Sequence, residues 1–224
     1  MADLFGGLPD AKRPGRGNVS TAVRQRRVEA IDSLDDFPTP PWATRAVIER
    51  LGISGGTGRD PCANRGHMVR PMREAFDAVE GFDIHDYGAG FPVRDYLSGS
   101  LPKPVDWTFQ NPPFRLAEAF IDRALATSRV GVAVLVRSAF LEGVGRHERL
   151  YSIRPPSVVY QFVERVVMHK GRLAPEGSSA TAYSWLVWRL DVTLGPCRLD
   201  WIPPCRRRLE RRGDYPEAVA SALT

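Results

Sequence analysis

The chain has 224 residues, of which 43% are hydrophobic, so its length and composition suit one domain with a sizeable core and terminal tails. No apolar run approaches the roughly 18 residues of a membrane span and no apolar signal segment is present, so we expect a cytoplasmic protein without a membrane partner. The 3 cysteines and 4 histidines are scattered, which predicts neither a disulfide nor a metal site, while the net charge of +5 is compatible with a polyanionic partner.

Residues 1–30 are rich in glycine, lysine and arginine and show little apolar periodicity, which predicts a flexible basic arm. Such an arm is either a solvated tail or a contact to a phosphate backbone. We assign residues 31–205 to a single folded domain and residues 206–224 to a basic C-terminal tail. The arginine cluster that opens this tail either extends a surface for a polyanion or is solvated.

From Pro38 the pattern becomes that of a helix. Thr39 is a residue type that caps helix N-termini, and Pro40 fits a first turn. Apolar side chains from Trp42 onward repeat on one face, and Gly52 marks the expected end of the helix.

The stretch Arg59–Gly66 predicts a tight turn that enters a helix beginning near His67. Small residues and a helix N-terminus allow the backbone to approach a ligand closely. The expected inner face of this helix consists of Val69, Met72, Phe76 and Val79. A second short strand, Gly81–Ile84, contains Asp83, and an acid at a strand end can accept both hydroxyls of a ribose. Asp86 takes that role if the register differs by a few positions.

Val105–Phe109 predicts a strand that leads into Asn111-Pro112-Pro113-Phe114. The two prolines fix φ and remove two backbone donors, so the turn offers carbonyl acceptors and the Asn111 carboxamide. A substrate that donates hydrogen bonds, such as the amino group of a nucleobase, suits this turn, and Phe114 offers a face for stacking. Because Asn and Pro dominate turns in general, an ordinary strand-terminating turn is the alternative.

The second half of the chain alternates helical and strand patterns. The expected elements are a helix at residues 115–127, a buried strand at Val130–Val136, a loop at residues 137–145, a short helical stretch at Arg146–Leu150, and antiparallel strands at Val158–Val167 and Ala180–Leu190. This order predicts an α/β fold with a Rossmann-like, mostly parallel sheet, helices on both faces and a C-terminal antiparallel pair. Ligands bind at the carboxyl ends of such strands, where Asp60, Asp83, Asp95 and Asn111 fall.

Five motifs in a fixed order carry a resemblance to a known family. They are Asp36-Phe37-Pro38-Thr39-Pro40-Pro41-Trp42, Asp60-Pro61-Cys62-Ala63-Asn64-Arg65-Gly66, Asp83-Ile84-His85-Asp86-Tyr87-Gly88, Asn111-Pro112-Pro113-Phe114 and Arg137-Ser138-Ala139-Phe140-Leu141-Glu142-Gly143. Over about residues 36–190 the chain resembles class I S-adenosylmethionine-dependent methyltransferases, in particular the small adenine-N6 DNA methyltransferases of phages and prophages. The resemblance implies a class I methyltransferase sheet and, for a phage-encoded protein, the cytoplasm of a bacterial host.

The resemblance also implies the site residues. S-adenosyl-L-methionine would contact Thr39, Pro40, Trp42, Asp60, Cys62, Ala63, Asn64, Gly66, Asp83, Ile84, Asp95, Tyr96 and Asn111. Catalysis would use Asn111, Pro112, Pro113 and Phe114, and DNA would contact Arg137, Lys170 and Arg172. Asp83 would hold the ribose and Asp95 the adenine amino group, although Asp95 is equally well read as a surface aspartate that caps the next loop. The family usually has glycine in place of Asn64, and Asn is the non-glycine residue that best tolerates positive φ.

The implied reaction is methylation of the exocyclic N6 amine of adenine in DNA, with a short or relaxed target sequence. The Asn111 side-chain oxygen and the Pro112 carbonyl would bind the two amino hydrogens. Three related alternatives stay open, namely an amino-group methyltransferase acting on cytosine N4, on RNA or on protein glutamine. A fourth, from another class, is a non-catalytic nucleic-acid-binding relative whose cofactor pocket has decayed. For Lys170 and Arg172 the alternative is an ordinary solvated hairpin loop.

Overall fold

The computed structural model of the protein describes residues 35–173, 175–177, 179–193 and 195–215. The basic arm predicted for residues 1–30 lies outside these ranges, as does the end of the predicted C-terminal tail after residue 215. Within the described ranges, no helix is both long enough and apolar enough to cross a membrane.

A seven-stranded mixed sheet organises the fold, with the strand order β2-β1-β3-β4-β6-β5-β7. The strands are β1 (Thr57–Asp60), β2 (Ala78–Gly81), β3 (Val105–Gln110), β4 (Ser128–Arg137), β5 (Val158–Phe162), β6 (Tyr183–Arg189) and β7 (Arg198–Ile202). The first four are parallel, β6 is antiparallel to both β4 and β5, and β7 is parallel to β5. The carboxyl ends of the parallel strands therefore share one rim with the beginning of β6.

Helices cover both faces of this sheet. They are α1 (Pro41–Leu51), α2 (Val69–Met72), α3 (Ala117–Ala126), α4 (Val144–Arg146) and α5 (Arg206–Leu209), with a 3-10 turn at Ser138–Leu141 and a π-helical turn at His147–Tyr151. Side chains of α1, α2 and the start of α5 belong to the core on one face, and those of α3 belong to the core on the other. The two-sided arrangement, the parallel strands and the antiparallel pair confirm the predicted fold class.

Strand β4 joins the two cores because its apolar run is continuous. Ala133 and Leu135 belong to the core beneath α1, whereas Val132 and Val134 belong to the core beneath α3. All four are fully buried. Burial of one Val or Leu side chain stabilises a fold by about 1.5–3 kcal/mol, so this strand stabilises both layers at once.

Helix α1 confirms the predicted element but not its predicted cap. It begins after Pro40 and is followed by Gly52, whose φ of 63° lies in the left-handed region that glycine adopts without strain. The prediction that Thr39 caps the helix is wrong, because Pro40 occupies the N-cap position and no side chain bonds to the free amides there.

Two predicted elements between residues 67 and 84 are corrected. The predicted helix ends after Met72, and Val79 lies in strand β2 instead. Pairing with the neighbouring strand decides this, since the N–H of Asp77 donates to the carbonyl of Gly56 at 2.9 Å and leads the chain into β2. Strand β2 therefore ends at Gly81, before Asp83, rather than running on to Ile84.

Strand β7 is absent from the sequence prediction because its alternation is inverted. Leu199 and Trp201 point to an uncovered face and are 56% and 54% exposed. Asp200 lies on the opposite side of the strand and forms an ion pair with Arg50 of α1. A strand with apolar residues outward and a charge inward does not match the usual pattern.

Residues 206–215 pack against α1, so the predicted tail boundary at residue 206 does not coincide with a break in packing. The buried carboxylate of Asp214 accepts hydrogen bonds from Arg45 at 2.7 and 3.0 Å, and Glu74 accepts two more from the same guanidinium at 2.8 Å. Other arginines of the cluster are also paired with acids, namely Arg206 with Glu210, Arg208 with Glu49 and Arg211 with Glu74.

We expect Asp214→Asn to lower the free energy of unfolding by about 3 kcal/mol, because it removes one partner of a buried ion pair. Burial alone would raise the pKa of Asp214, but the hydrogen bonds from Arg45 and the Arg211 backbone N–H outweigh it and hold this pKa below its ordinary value. The contribution of this ion pair to the free energy of unfolding is therefore present above the unfolded pKa near 4. It is lost as the pH falls through the lower folded pKa.

Urea unfolding of both proteins between pH 3 and pH 7 measures this difference. The matched control is Asp200→Asn, which breaks the half-exposed pair with Arg50 and should change stability by less than about 1 kcal/mol. Equal effects of the two substitutions would contradict the role of Asp214.

Candidate active site

The turn after β3 fixes the orientation of the Asn111 side chain. Its Nδ2 donates to the carbonyl oxygen of Phe37 at 2.9 Å and to Oγ1 of Thr39 at 3.1 Å. A backbone carbonyl can only accept, so the amide nitrogen must face Phe37 and the amide oxygen must face away. No donor among the described residues hydrogen-bonds to that oxygen. The turn therefore offers Oδ1 of Asn111 as an acceptor.

A segment of five residues, 35–39, here called the strap, holds this turn from both ends. Oδ2 of Asp35 accepts the backbone N–H of Phe114 at 2.9 Å, while Phe37 and Thr39 hold Asn111. Thr39, predicted both as a helix cap and as a cofactor contact, is buried and orients the amide of Asn111. Asp35 was not predicted, because nothing local in the sequence distinguishes it from other acids before a helix.

The strap also contacts the loop between β5 and β6. The N–H of Gly171, which has a φ of 74°, donates to the carbonyl of Asp36 at 2.8 Å. Glycine adopts this left-handed conformation without the steric penalty of a Cβ. The exposed side chains of Lys170 and Arg172 flank this contact, so the structure brings the predicted nucleic-acid loop to the rim that carries Asn111.

The turn after β1 has a left-handed residue at Asn64, with a φ of 48°. Its backbone N–H donates to Oδ2 of Asp83 at 3.0 Å, and its Nδ2 donates to Oδ1 of Asp36 at 2.7 Å. Arg65 reaches the same Asp36 carboxylate at 3.1 Å. The sequence prediction that Asn tolerates this turn is confirmed, and its side chain adds a bond to the strap that glycine could not make.

Gly66 closes the same turn, and a side chain there would not fit. Its φ is 81°, and a Cβ would lie 3.0 Å from the ring of Phe91. The turn therefore packs tightly between β1 and the segment after β2. Ala63 is buried within it, and its N–H donates to the carbonyl of Phe82 at 3.0 Å.

Asp60, the last residue of β1, is fully buried. Its Oδ1 accepts the backbone N–H of Cys62 at 3.0 Å, but its Oδ2 has no hydrogen-bond partner among the described residues. Burial raises the pKa of Asp60 to about 8, a rise that the Cys62 N–H opposes and the charge of Asp83 reinforces. A buried polar atom without a partner is costly, so its retention points to a ligand contact.

Asp83 lies beyond the end of β2, facing the same turn. Its two oxygens accept the backbone N–H groups of Asn64 at 3.0 Å and His85 at 3.1 Å. Burial raises the pKa of Asp83 although these bonds oppose the rise. The next side chain, Ile84, is 62% exposed and offers an apolar surface beside the carboxylate.

The carboxylates of Asp35, Asp60 and Asp83 converge electrostatically on Cys62. Burial, followed by the charges of Asp60, Asp83 and Asp35, raises the pKa of this thiol well above its ordinary value. The thiol therefore stays protonated at neutral pH. Because the pKa of Asp60 is raised to about 8, Asp60 is largely protonated at neutral pH and adds little negative charge around this thiol.

Phe114 lies beneath a cation at the rim. The guanidinium carbon of Arg137, the last residue of β4, lies 4.1 Å from the centroid of the Phe114 ring and 5.7 Å from that of Phe37. The Phe114 ring is partly buried and packs against the core beneath α1. Such a cation–π contact at an exposed site is worth about 0.5–1 kcal/mol.

Four residues of the predicted cofactor set lie elsewhere or are used differently. Trp42 is 1% exposed and packs edge to face on Phe162 in the core. Tyr96 is buried against Phe82, and its hydroxyl contacts that of Thr127. Asp95 is exposed, and its carboxylate accepts the N–H of Leu97 at 2.9 Å, which is the loop-capping alternative. Pro40 is buried at the start of α1.

No family model matches the sequence, and no curated protein matches it. The structure is similar to the modification subunit of a candidate type I restriction enzyme from Vibrio vulnificus, with a TM-score of 0.52 and 17% identity over 79% of this chain and 48% of that one. It is also similar to a candidate RNA methyltransferase from Pyrococcus horikoshii, with a TM-score of 0.52 and 13% identity over 75% of this chain and 96% of that one.

The chain spans about half the length of the Vibrio vulnificus subunit. At these identities the likeness concerns the fold, which is the Rossmann-like fold of the two matched structures. Together with the observed sheet, it confirms the class I methyltransferase architecture that the sequence predicts.

We expect Asp60→Asn to stabilise the protein increasingly as the pH rises. The variant keeps an oxygen for the Cys62 N–H but cannot ionise. In the wild type the folded pKa near 8 exceeds the unfolded value near 3.9, so unfolding releases a proton between these pH values and stability falls as the pH rises. The two proteins should be similar near pH 4, and the variant should be more stable by about 2 kcal/mol or more at pH 8.

Urea unfolding at pH 4, 6 and 8 measures this difference. Asp106→Asn is the control. Hydrogen bonds from Thr57 and Arg129 hold the pKa of the Asp106 carboxylate below its ordinary value, so this variant should become less stable than the wild type as the pH rises. A gain in stability for Asp60→Asn that does not change with pH would contradict the raised pKa of Asp60.

Proposed function

We propose that the protein transfers the methyl group of S-adenosyl-L-methionine to the exocyclic N6 amine of adenine in DNA. The observation that carries the proposal is the orientation of Asn111, whose amide nitrogen is engaged by Phe37 and Thr39 while its oxygen is left as an acceptor. The resemblance of the ordered motifs to adenine-N6 methyltransferases supports the choice of substrate. The two matched structures, the modification subunit of a candidate restriction enzyme and a candidate RNA methyltransferase, support a methyl transfer to nucleic acid.

The catalytic problem is the low nucleophilicity of an exocyclic amine, whose lone pair is delocalised into the ring. Oδ1 of Asn111 and the carbonyl of Pro112 would accept the two amino hydrogens and favour a pyramidal nitrogen with an available lone pair. Because Nδ2 of Asn111 is already bonded, the amide does not have to reorient as the reaction proceeds. Preorganised polar groups of this kind are each worth about 3–4 kcal/mol in a transition state.

The residues after β1 and β2 fit a cationic nucleoside cofactor. Asp60 contributes a buried oxygen without a partner, Asp83 a carboxylate at the strand end, and Asn64 and Gly66 a tight turn. The carboxylate of Asp83 beside this turn suits a positively charged or a hydroxyl group of the cofactor. When bound, the cofactor supplies an electrophilic methyl group. Asp60 and Asp83 would hold its charged and hydroxyl groups, and the proline-bounded turn would align the amine with the methyl.

Exposed cations along the same rim support a polyanionic substrate. Arg115 follows the catalytic turn, Arg137 ends β4, and three more lie in the loop between β5 and β6, namely Arg165, Lys170 and Arg172. Since the end of β4 and the β5–β6 loop lie at the rim that carries the Asn111 turn, these cations share that rim. Contacts of this type hold phosphates without regard to sequence. We therefore propose a short or relaxed target sequence.

RNA is the second candidate substrate. It is favoured by the likeness to a candidate RNA methyltransferase that this chain nearly spans, with 96% of that chain covered. The Asn-Pro-Pro-Phe turn would present the same acceptors to an amine in RNA, to N4 of cytosine or to a glutamine amide.

The deciding measurement is transfer of labelled methyl from S-adenosylmethionine to unmethylated duplex DNA, followed by nucleoside analysis. We expect N6-methyldeoxyadenosine, distributed over many short sequence contexts. Label in RNA, in cytosine or in protein would move the activity to that substrate. Absence of both transfer and cofactor binding would leave a non-catalytic nucleic-acid-binding relative.

We expect Asn111→Ala to reduce methyl transfer by at least about 10²–10³-fold while cofactor binding persists, because the acceptor is lost and the cofactor turn stays intact. Single-turnover transfer and calorimetric binding of S-adenosylhomocysteine measure the two properties separately. Thr39→Ala removes one anchor of the amide and leaves the Phe37 bond, so its transfer rate should fall by only about tenfold. Loss of cofactor binding together with transfer in Asn111→Ala would contradict the assigned role.

A further inference from the structure

The Arg137 guanidinium covers the ring on which a target base would stack. It lies 4.1 Å from the centroid of Phe114 and also reaches the edge of Phe37 at 5.7 Å. A guanidinium is flat and cationic, so it stacks on an aromatic face much as a base does. A base and Arg137 cannot occupy this face of Phe114 together.

Phe114 cannot resolve the competition by turning away. Its ring is partly buried and packs against the core beneath α1, and its backbone N–H donates to Asp35 at 2.9 Å. Arg137 is the member of the pair that can move, because its side chain is exposed and forms no ion pair with any acid of the described chain; its contact with the hydroxyl of Tyr183, to which it donates, must break when it leaves the ring. Entry of a base therefore requires Arg137 to leave the ring.

We infer that Arg137 makes access to Phe114 conditional on a phosphate backbone, and thereby selects polynucleotides over free nucleosides. The inference rests on the proposed function and deepens it. A guanidinium binds phosphate with two parallel hydrogen bonds, so a phosphate at the rim draws Arg137 away from the ring and uncovers it. A free nucleoside carries no phosphate and must displace the cation by stacking alone.

Arg115 provides a matched comparison within the same rim. It directly follows Phe114 in the chain and is exposed, but it contacts no aromatic ring among the described residues. It can attract phosphate without covering the stacking face. Arg137 is thus a positioning residue that both attracts phosphate and covers the stacking face. Arg115 only attracts phosphate.

The test compares binding of 2-aminopurine deoxyribonucleoside with binding of a single-stranded oligonucleotide that contains one 2-aminopurine. Stacking quenches the fluorescence of this base, so both titrations report on the same event. The full chain is used with saturating S-adenosylhomocysteine, so that the nucleoside cannot enter the cofactor turn. The proteins are the wild type, Arg137→Ala, Arg137→Lys and Arg115→Ala.

We expect Arg137→Ala to bind the nucleoside about threefold more tightly, since the competing cation–π contact is gone. The same variant should bind the oligonucleotide more weakly, with the slope of log K against log salt reduced by about 1. Arg115→Ala should lose oligonucleotide affinity with nucleoside affinity unchanged. Arg137→Lys should restore the salt slope, because the ammonium still contacts phosphate.

Each other result overturns the inference. Weaker oligonucleotide binding with unchanged nucleoside binding would make Arg137 a phosphate contact like Arg115. If Arg137→Ala bound both the nucleoside and the oligonucleotide more weakly, Arg137 would be a structural residue. The same would follow if Arg137→Ala and Arg137→Lys both had a lowered unfolding temperature. Absence of nucleoside quenching in both wild type and Arg137→Ala would remove the stacking role of Phe114. Failure of S-adenosylhomocysteine to bind the wild type would overturn the proposed function itself.

Discussion

Two hydrogen bonds donated by the Asn111 amide fix the geometry on which the site depends. The Phe37 carbonyl can only accept, so it decides which end of the amide faces outward. The same five-residue strap holds Phe114 through Asp35 and the turn after β1 through Asp36. Segments that are far apart in the chain are thus joined through one short stretch of backbone. Such a connected network loses more than one contact when any member is removed.

Charge is divided within the site according to depth. The chain is basic overall, yet Asp35, Asp60 and Asp83 lie around the turn that carries Cys62, where burial first and these acids second raise the pKa of its thiol. The exposed cations lie outside them, at the rim. Acids lie around the central turn and cations at the rim, so under the proposed function the cofactor and a polyanionic substrate would bind in different fields.

The sequence predicts the elements whose signals are local. A few neighbouring residues are enough to predict the apolar run of β4, the end of α1 at Gly52 and the turn at Asn111. What it could not predict depends on distant contacts. The bonds that orient Asn111 come from residues 74 and 72 positions earlier, and β7 has its apolar side chains outward, so no periodic pattern marks it. Asp35 likewise acquires a role only when Phe114 is folded against it.

Asn64 replaces the glycine that is usual in the resembled family, and it adds a hydrogen bond that glycine could not make. A non-glycine residue at a φ of 48° bears a conformational penalty of up to about 1–2 kcal/mol, which Asn reduces by bonding locally. Here its side chain accepts the Arg65 N–H at 2.7 Å and donates to Asp36 at 2.7 Å, a bond to a charged group worth about 1.5–3 kcal/mol. The turn keeps the backbone shape that glycine would give and gains a tie to the strap that orients Asn111.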